Sequence, residues 1–529
     1  MKTFKPRPSF SDPTVYYSLS QVSFPMISSD LETDRVQELD QLLSLIHPRI
    51  VDYVASADAN SEKFQANSLG SFHEPSELKK IFTSEEGIFE RGLKNDHDSL
   101  FHHIDNVLKY SVNTWNPGFL DKLYASNNPI GVISDIILSV LNTNSHVYTV
   151  SPVLSVLENY MGRKYARLFY SNHQDTCGGL TFSGGSWSNI TAMQIARSIK
   201  YPETKLHGNG NFKFAVYASK HCHYSIEKAA ILLGIGSKSV FKVDINSDGT
   251  MNTRSLEETI QKSISEGYTP LFINTTAGTT VFGSYDDIQA ASAIAKKFNV
   301  WLHVDGSWGG NVIFSEVHKK KLKGSEFADS ITTNPHKMLG TPNTCSFLLL
   351  PDVKTFQTAN SLAAPYLFHG RENDEENMDL ADGTMGCGRR ADAFKFYLTW
   401  LYYGYDGLQQ RVDHAFRIVE YFVQSITNVP GFTLVDEHPQ CLQVCFYYRP
   451  EGYEGDDMTN ITRFISRTLH SQGRYLMDFS PNPTKDEKGE FFRVVFNSPI
   501  LTDKIIDDLV ASIVSVGAAY QKKMGQSKN

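Results

Sequence analysis

Cysteine is scarce in this chain: six cysteines are scattered over 529 residues. A framework of disulfides would need more cysteines at closer spacing, so the count favours a reducing compartment. No apolar run reaches the roughly 18 residues of a membrane span, and the opening residues lack the apolar segment of a secretion signal. We therefore expect a cytoplasmic protein without a membrane partner.

An excess of positive charge is also missing. The chain has 50 lysines and arginines against 58 aspartates and glutamates, which gives a net charge of −8. Proteins that bind nucleic acid usually carry a basic patch that neutralises phosphates, and no stripe of lysine and arginine is found here. Nucleic acid is therefore not an expected partner. The 41% hydrophobic content is enough for a sizeable core, and the length predicts two or three structural units.

The pattern of apolar residues changes along the chain. Residues 1–115 are predicted to form an N-terminal arm and a helical segment, with helical spacing from Leu39 to Val54. Beyond residue 116, apolar strand patterns alternate with helical ones; the strand patterns lie at 214–218, 270–276, 300–305 and 345–350. Such alternation indicates a mainly parallel sheet covered by helices on both faces. We assign 116–395 to a large domain and 396–529 to a small C-terminal α/β domain.

Lys337 and Asp305 are the most informative pair of residues. Asp305 ends an apolar strand pattern, so its carboxylate is predicted to be partly buried and to need a cationic partner. Lys337 follows 32 residues later, with Asn334 and His336 beside it as polar groups. A lysine that forms a Schiff base and a carboxylate that keeps a pyridine nitrogen protonated are what pyridoxal phosphate (PLP) chemistry requires. The pair therefore predicts a PLP site.

A phosphate-binding turn is predicted at Gly185 and Ser186. These residues lie in a glycine-containing turn directly before the helical pattern 190–199. The first turn of a helix has free N–H groups and a favourable dipole for an anion.

His223 is predicted to stack on the cofactor ring. His221 and His223 could instead bind zinc, but the sequence shows no matching third and fourth ligands. A dinucleotide is rejected as well, because the glycines at 208–210 and 234–236 form incomplete motifs outside a strand-to-helix turn.

Several motifs occur in an order that resembles one enzyme family. They are His223-Tyr-Ser225, Ala277-Gly-Thr-Thr280, His303-Val-Asp305, Asn334-Pro-His-Lys337 and Phe492-Arg493. The chain resembles the group II PLP-dependent decarboxylases over roughly residues 100–500, and the glutamate and cysteine sulfinate branch more than the aromatic one. The resemblance implies fold type I, with a mainly parallel seven-stranded sheet in the large domain. It also implies a homodimer with active sites at the interface.

The resemblance assigns the cofactor contacts residue by residue. Lys337 would hold PLP covalently, Asp305 would pair with the pyridinium nitrogen and His223 would stack on the ring, which makes these three the candidate catalytic residues. The remaining cofactor contacts would come from Gly185, Ser186, Thr276, Ser307, Asn334 and His336. Family members usually have an alanine that packs on the ring face opposite the histidine, and this chain departs from them with Ser307 at that position.

Two residues are expected to bind the substrate. By resemblance, Arg493 would hold the substrate α-carboxylate, and a guanidinium is suited to that because its fork grips carboxylates in a bidentate manner. Lys122 stands where the glutamate branch often has a neutral amide, and its charge could pair with an acidic substrate side chain. We therefore expect decarboxylation of an L-amino acid, with an acidic substrate favoured.

The segment 370–384 departs from the family. It reads as an acidic loop, and no tyrosine lies between Tyr366 and Tyr397, although the family's mobile loop carries a tyrosine that donates a proton after CO2 leaves. His369 or Asp374 could donate the proton instead. The alternatives are decarboxylation coupled to oxidation, carbon–carbon bond formation, or a non-catalytic relative with a binding role.

Overall fold

The computed structural model describes residues 34–83, 88–93, 96–362, 364, 366–368, 378–481 and 488–526. The chain divides into two compact units between Tyr53 and Val54, a point inside the first helix. Within the described residues the helices are α1 (Arg35–Ala57), α2 (Pro75–Thr83), α3 (Ile88–Arg91), α4 (His97–Tyr110), α5 (Pro129–Leu141), α6 (Pro152–Phe169), α7 (Gly185–Lys200), α8 (Thr204–His207), α9 (Ser225–Leu232), α10 (Thr253–Ser265), α11 (Ile288–Phe298), α12 (Lys354–Asn360), α13 (Asp392–Thr427), α14 (Thr459–Ser471) and α15 (Asp503–Gln526). None of these helices is both long and apolar enough to cross a membrane.

A seven-stranded sheet forms the centre of the second unit. Its strands are β2 (Gly178–Phe182), β3 (Phe214–Ser219), β4 (Val240–Val243), β5 (Thr269–Thr276), β6 (Trp301–Gly306), β7 (Ser330–Thr333) and β8 (Ser346–Leu350). Their order in the sheet is β2-β8-β7-β6-β5-β3-β4, and only β8 runs antiparallel to its neighbours. The predicted fold class, a mainly parallel seven-stranded sheet, is confirmed.

The central strands are continuous apolar runs because helices cover both faces of the sheet. Every residue of β3 and β6 is buried, as expected for parallel strands between two helical layers. Two helices begin where a side chain caps them: Asp287 accepts a hydrogen bond from the amide of Ala290 at the start of the crossover helix α11, and Asn128 accepts one from the amide of Gly131 at the start of α5. These strands and caps explain why periodicity located the elements.

A smaller sheet has five strands and comes mainly from the C-terminal part of the chain. Its strands are β1 (Phe119–Leu120), β9 (Phe432–Leu434), β10 (Gln443–Tyr448), β11 (Leu476–Pro481) and β12 (Glu490–Val495), in the order β1-β11-β12-β10-β9. The two-residue strand β1 pairs in parallel with β11 and so brings the residues after Leu120 to this sheet. The apolar patterns at 442–448 and 491–496 in the sequence predict β10 and β12, but no pattern predicts β1.

The sequence predicts a long helix from about Arg390 to Ile426 with an interruption near Gly404–Gly407, and α13 is interrupted there. Gly404 has φ 69° and ψ −177° inside the helix, a left-handed conformation that glycine adopts without the strain of a side chain. The predicted helix from about Arg390 to Ile426, interrupted near Gly404, is confirmed.

Candidate functional site

The predicted cofactor residues gather at one edge of the seven-stranded sheet. Asp305 and Thr276 lie at the carboxyl ends of the neighbouring strands β6 and β5, where Thr276 faces Asp305 in register. Lys337, His223 and Gly185 follow the ends of β7, β3 and β2 by three or four residues. Ligands of open α/β sheets bind at this edge, so the fold alone brings these groups together.

Asp305 is a buried carboxylate with assigned hydrogen-bond donors. Its side chain accepts from the backbone N–H of Ser307 at 3.1 Å and from Nδ2 of Asn189 at 2.9 Å. Burial alone would raise its pKa, but the electrostatic effect of its polar surroundings and the hydrogen bond of Ser307 outweigh burial and keep the pKa below the ordinary value. Asp305 is therefore ionised and suited to pair with a cation.

A chain of buried hydrogen bonds, formed by side chains of β6, β7 and α7, leads to Asp305. The indole N–H of Trp301 donates to Oγ of Ser330 at 2.8 Å, and that oxygen lies 2.8 Å from Nδ1 of His303. On the other side of the ring, Nε2 of His303 lies 3.0 Å from Oδ1 of Asn189. Because an indole can only donate, the Ser330 hydroxyl is free to donate to His303. Burial lowers the pKa of His303 to about 4, so its ring is neutral.

Asn189 fixes which groups donate and which accept in this chain of hydrogen bonds. A carboxylate only accepts, so the amide of Asn189 must turn its NH2 group towards Asp305 and its oxygen towards His303. The second N–H of the same group donates to Oγ of Ser225 at 3.0 Å. Asn189 thereby links the carboxylate to the loop that carries His223.

The last step of the chain determines which nitrogen of His223 carries the proton. Nδ1 of His223 lies 2.8 Å from Oγ of Ser225 and 3.3 Å from the backbone N–H of the same residue. Both groups donate, so Nδ1 accepts. Burial lowers the pKa of His223, against the opposing effect of Asp305. The ring is therefore neutral with its proton on Nε2, the atom left to meet a ligand.

Lys337 is held by backbone contacts, and the pKa of its side-chain amine is lowered. Its N–H donates to the carbonyl of Asn334 at 3.0 Å, and its own carbonyl accepts from Nδ2 of Asn497 at 2.9 Å. Burial lowers the pKa of Lys337, although Asp305 acts in the opposite direction. A lowered pKa increases the fraction of neutral amine, which is the form that forms a Schiff base.

The residues around Gly185 fit a phosphate and a flat ring. A Cβ on Gly185 would lie 2.5 Å from Oγ of Ser307 and 2.9 Å from Nδ2 of Asn334, so only glycine allows this approach. Oγ of Ser307 and Oδ1 of Asn334 are buried and have no hydrogen-bond partner among the described residues. Unpartnered buried polar atoms are costly and point to a ligand. Gly185 and Ser186 begin the 16-residue helix α7, with its free amides. These features fit PLP.

Thr276 and His336 lie beside this group and already have hydrogen-bond partners within the protein. The N–H of Thr276 donates to Asp286 at 2.7 Å. Nδ1 of His336 lies 2.7 Å from the carbonyl of Cys345, and burial lowers the pKa of His336 to about 4. The predicted cofactor contacts of both residues stay predictions.

Arg493 and Lys122 meet in a cluster of four charges. The guanidinium of Arg493 donates to the carbonyls of Thr280 at 2.8 Å and Asp121 at 2.9 Å, and to Oδ2 of Asp478 at 2.5 Å. Nζ of Lys122 lies 3.1 Å from carboxylate oxygens of both Asp121 and Asp478. The sequence predicts Arg493 and Lys122 as substrate-binding residues but carries no signal for the two aspartates that pair with them.

Comparison with known proteins identifies the family. Residues 89–449 match the pyridoxal-dependent decarboxylase conserved domain. The chain is 43% identical to an L-aspartate decarboxylase of Metarhizium robertsii, over 92% of this chain and 98% of that protein. It is 33% identical to a glutamate decarboxylase-like protein of Gibberella zeae, over 91% and 98% of the two chains.

Among solved structures, the chain is similar to mouse CSAD. The TM-score is 0.84 with 30% identity, covering 92% of this chain and 99% of that one. An Oryza sativa TDC with PLP and tryptamine, at 20% identity and a TM-score of 0.81, shares the fold over 94% of this chain and 99% of that chain. The family resemblance, the fold type and the cofactor predicted from the sequence are confirmed.

Proposed function

The chain belongs to the pyridoxal-dependent decarboxylases, and from this premise we propose that it removes CO2 from an acidic L-amino acid, with aspartate as the first candidate. The observation that carries the proposal is the meeting of Lys337, Asp305 and His223 at one sheet edge, together with the two cations Arg493 and Lys122 in one charged cluster. The named relatives support an acidic substrate, because one is an L-aspartate decarboxylase and another is glutamate decarboxylase-like.

Each residue of the sheet edge has a proposed task. Bound PLP supplies an electron sink for the electrons left when CO2 departs. Asp305 would stabilise a positive charge on the pyridine nitrogen of the cofactor, and Lys337 would provide the amine that attaches it. Neutral His223 covers the ring and offers its Nε2–H. Gly185 and Ser186 hold the phosphate through backbone amides.

The substrate side is proposed to bind carboxylates. Arg493 is 6% exposed and is held by two backbone carbonyls, so it presents a fixed fork to the substrate α-carboxylate. Lys122 and Arg493 both contact the carboxylate of Asp478, which places the two cations close together. We assign Lys122 to the side-chain carboxylate of an acidic substrate.

A homodimer with the site near its interface is also part of the proposal. Helices α5 and α6 expose apolar side chains, among them Val140 at 72% and Val153 at 67% exposure, and such patches mark interaction surfaces. The start of α5 is tied to the Lys337 segment, because both nitrogens of Asn128 donate to the carbonyl of Gly340. Sedimentation of the holoenzyme tests this: a single monomeric species contradicts it.

The domain limits and the compartment remain proposals. The seven-stranded sheet lies within 178–350, which supports a large domain over 116–395, and four of the five strands of the smaller sheet lie within 396–529. All six cysteines are free thiols, which supports a reducing compartment such as the cytoplasm.

The second question is which product forms after CO2 has left the substrate. No tyrosine lies between Tyr366 and Tyr397, so a different proton donor is needed to give the amine. The two candidates named from the sequence, His369 and Asp374, lie outside the described residues. A lack of proton donation would favour oxidation to an aldehyde or carbon–carbon bond formation.

One experiment tests both questions. Purified holoenzyme is incubated with aspartate, glutamate, cysteine sulfinate and neutral amino acids, and CO2, amine, aldehyde and peroxide are measured together. Equal amounts of CO2 and amine from an acidic amino acid support the proposal. Aldehyde with peroxide supports the altered outcome, and release of CO2 from neutral amino acids alone contradicts the acidic substrate.

A further inference from the structure

Asp478 occupies the place where a substrate carboxylate is expected. It faces Arg493 in register across the antiparallel strands β11 and β12, so the two side chains project from the same face of the sheet. One carboxylate oxygen, Oδ2, contacts both Nη2 of Arg493 at 2.5 Å and Nζ of Lys122 at 3.1 Å. A single oxygen therefore bridges the two cations that the proposed function assigns to the substrate.

Arg493 does not need Asp478 for its orientation. Nη1 donates to the carbonyl of Thr280, and Nη2 donates to the carbonyl of Asp121. These neutral acceptors lie on two different loops and hold the guanidinium plane. The contribution of Asp478 is therefore its negative charge rather than the position of the arginine.

The charges of the cluster are already balanced. Arg493 and Lys122 carry two positive charges, and Asp478 and Asp121 carry two negative ones. The carboxylate of Asp121 contacts Lys122 at 3.1 Å, and its pKa is raised by burial and by Asp478, which reflects crowding of like charges. An incoming carboxylate meets cations that are already paired and two anions that repel it.

We propose that Asp478 is a built-in competitor of the substrate, whose carboxylate must leave Arg493 before a substrate carboxylate can bind there. The side chain of Asp478 is 27% exposed and that of Lys122 is 49% exposed, so the bridging pair has room to move outward. Lys122 retains Asp478 when Arg493 is released. The competitor sets the substrate affinity, and this inference rests on the proposed function in that Arg493 is taken as the carboxylate-binding group.

Asp478→Asn tests the proposal because it removes the charge and keeps the shape. In the holoenzyme we expect KM for the acidic substrate and the inhibition constant of succinate to fall about five- to tenfold, while kcat stays within about twofold. Asp478→Ser should act in the same direction if the asparagine variant folds poorly. Unchanged or increased constants, or a large fall in kcat, would overturn the proposal, since Asp478 would then serve to position Arg493.

Asp121→Asn is the matched control. It removes the same charge from the same cluster, but its carboxylate contacts Lys122 and not the guanidinium. We expect it to have less than half the effect of Asp478→Asn on a logarithmic scale. An equal effect would show that only the net charge matters and would overturn specific competition. Asp503→Asn, which removes a surface partner of Arg417, should leave both constants unchanged.

Direct binding of succinate separates this proposal from the proposed function. Its dissociation constant is measured by calorimetry on wild-type and variant holoenzyme, which requires no turnover. If wild-type enzyme releases no CO2 from acidic amino acids, the proposed function fails. The ratio of the two dissociation constants still decides whether Asp478 competes for Arg493.

Discussion

The cofactor side and the substrate side of the site are built from different interactions. Asp305 is 4% exposed and is reached by directional hydrogen bonds whose donors and acceptors can all be assigned. On the substrate side, half-exposed Lys122 shares one carboxylate with Arg493. A buried polar network is costly to leave incomplete, whereas partly exposed ion pairs are weak and exchange readily. The buried network therefore suits a ligand that stays bound, and the shared ion pair suits a ligand that has to be released.

Replacing Lys337 should have the largest effect, because this residue is the proposed attachment point of the cofactor on which the substrate reacts. We expect Lys337→Ala to reduce CO2 release at least about a thousandfold, since the amine that attaches the cofactor is lost. Borohydride reduction followed by intact-mass measurement should show a cofactor adduct in wild type and none in the variant. Lys319→Ala removes an exposed lysine paired with Glu316 and should change neither result. Persistent activity in Lys337→Ala would refute the assigned mechanism.

Neutralising the buried carboxylate breaks the cofactor side alone. In Asp305→Asn the shape is kept, but the charge is lost and only one of the hydrogen bonds from Ser307 and Asn189 can still be accepted. We therefore expect kcat to fall about a hundred- to a thousandfold with a smaller change in KM. Asp329→Asn is the control: this half-buried carboxylate accepts from the backbone N–H of Leu302 at the opposite edge of the same sheet. A fall in kcat of equal size in the control would mean that both substitutions act through folding.

The same contrast explains what the sequence could predict. Strand β6 was predicted at 300–305 and lies at Trp301–Gly306, because a continuous apolar run between two helical patterns leaves few alternatives. Asp305 followed from its place at the end of that run. Asn189 was missed because a polar residue on the buried face of α7 shows its role only when Asp305 and Ser225 are brought to it.

The substrate side was harder to predict because it depends on strand register. Asp478 meets Arg493 only because β11 and β12 pair with those two residues opposite each other. Lys122 joins them because a strand of two residues, β1, pairs with β11. A two-residue strand has no periodicity, and register is set by partners distant in sequence.

The hydrogen-bond chain on the cofactor side can be tested through pH. The hydroxyl of Ser225 donates to Nδ1 of His223 and so stabilises the neutral ring, which burial already favours by lowering the pKa. Activity that needs neutral His223 is lost as pH falls through this pKa. In Ser225→Ala the pKa should rise by up to about one unit, so the acid limb of kcat/KM should move to higher pH. The profile of kcat/KM against pH is the measurement, and an unmoved limb contradicts the assigned donor.

Removing the charge of Lys122 should have the smallest effect and tests the substrate side. Its side chain is 49% exposed and shared between two carboxylates, so its attraction for a substrate carboxylate is screened. We expect Lys122→Ala to lower kcat/KM for acidic substrates about three- to fivefold and to leave neutral amino acids unaffected. Lys122→Gln keeps the length of the side chain and should match the alanine variant if charge is the role. Unchanged preference for acidic substrates would leave Lys122 as a partner of Asp121 and Asp478 without a role in substrate binding, and Arg493 would be the remaining cation for the substrate.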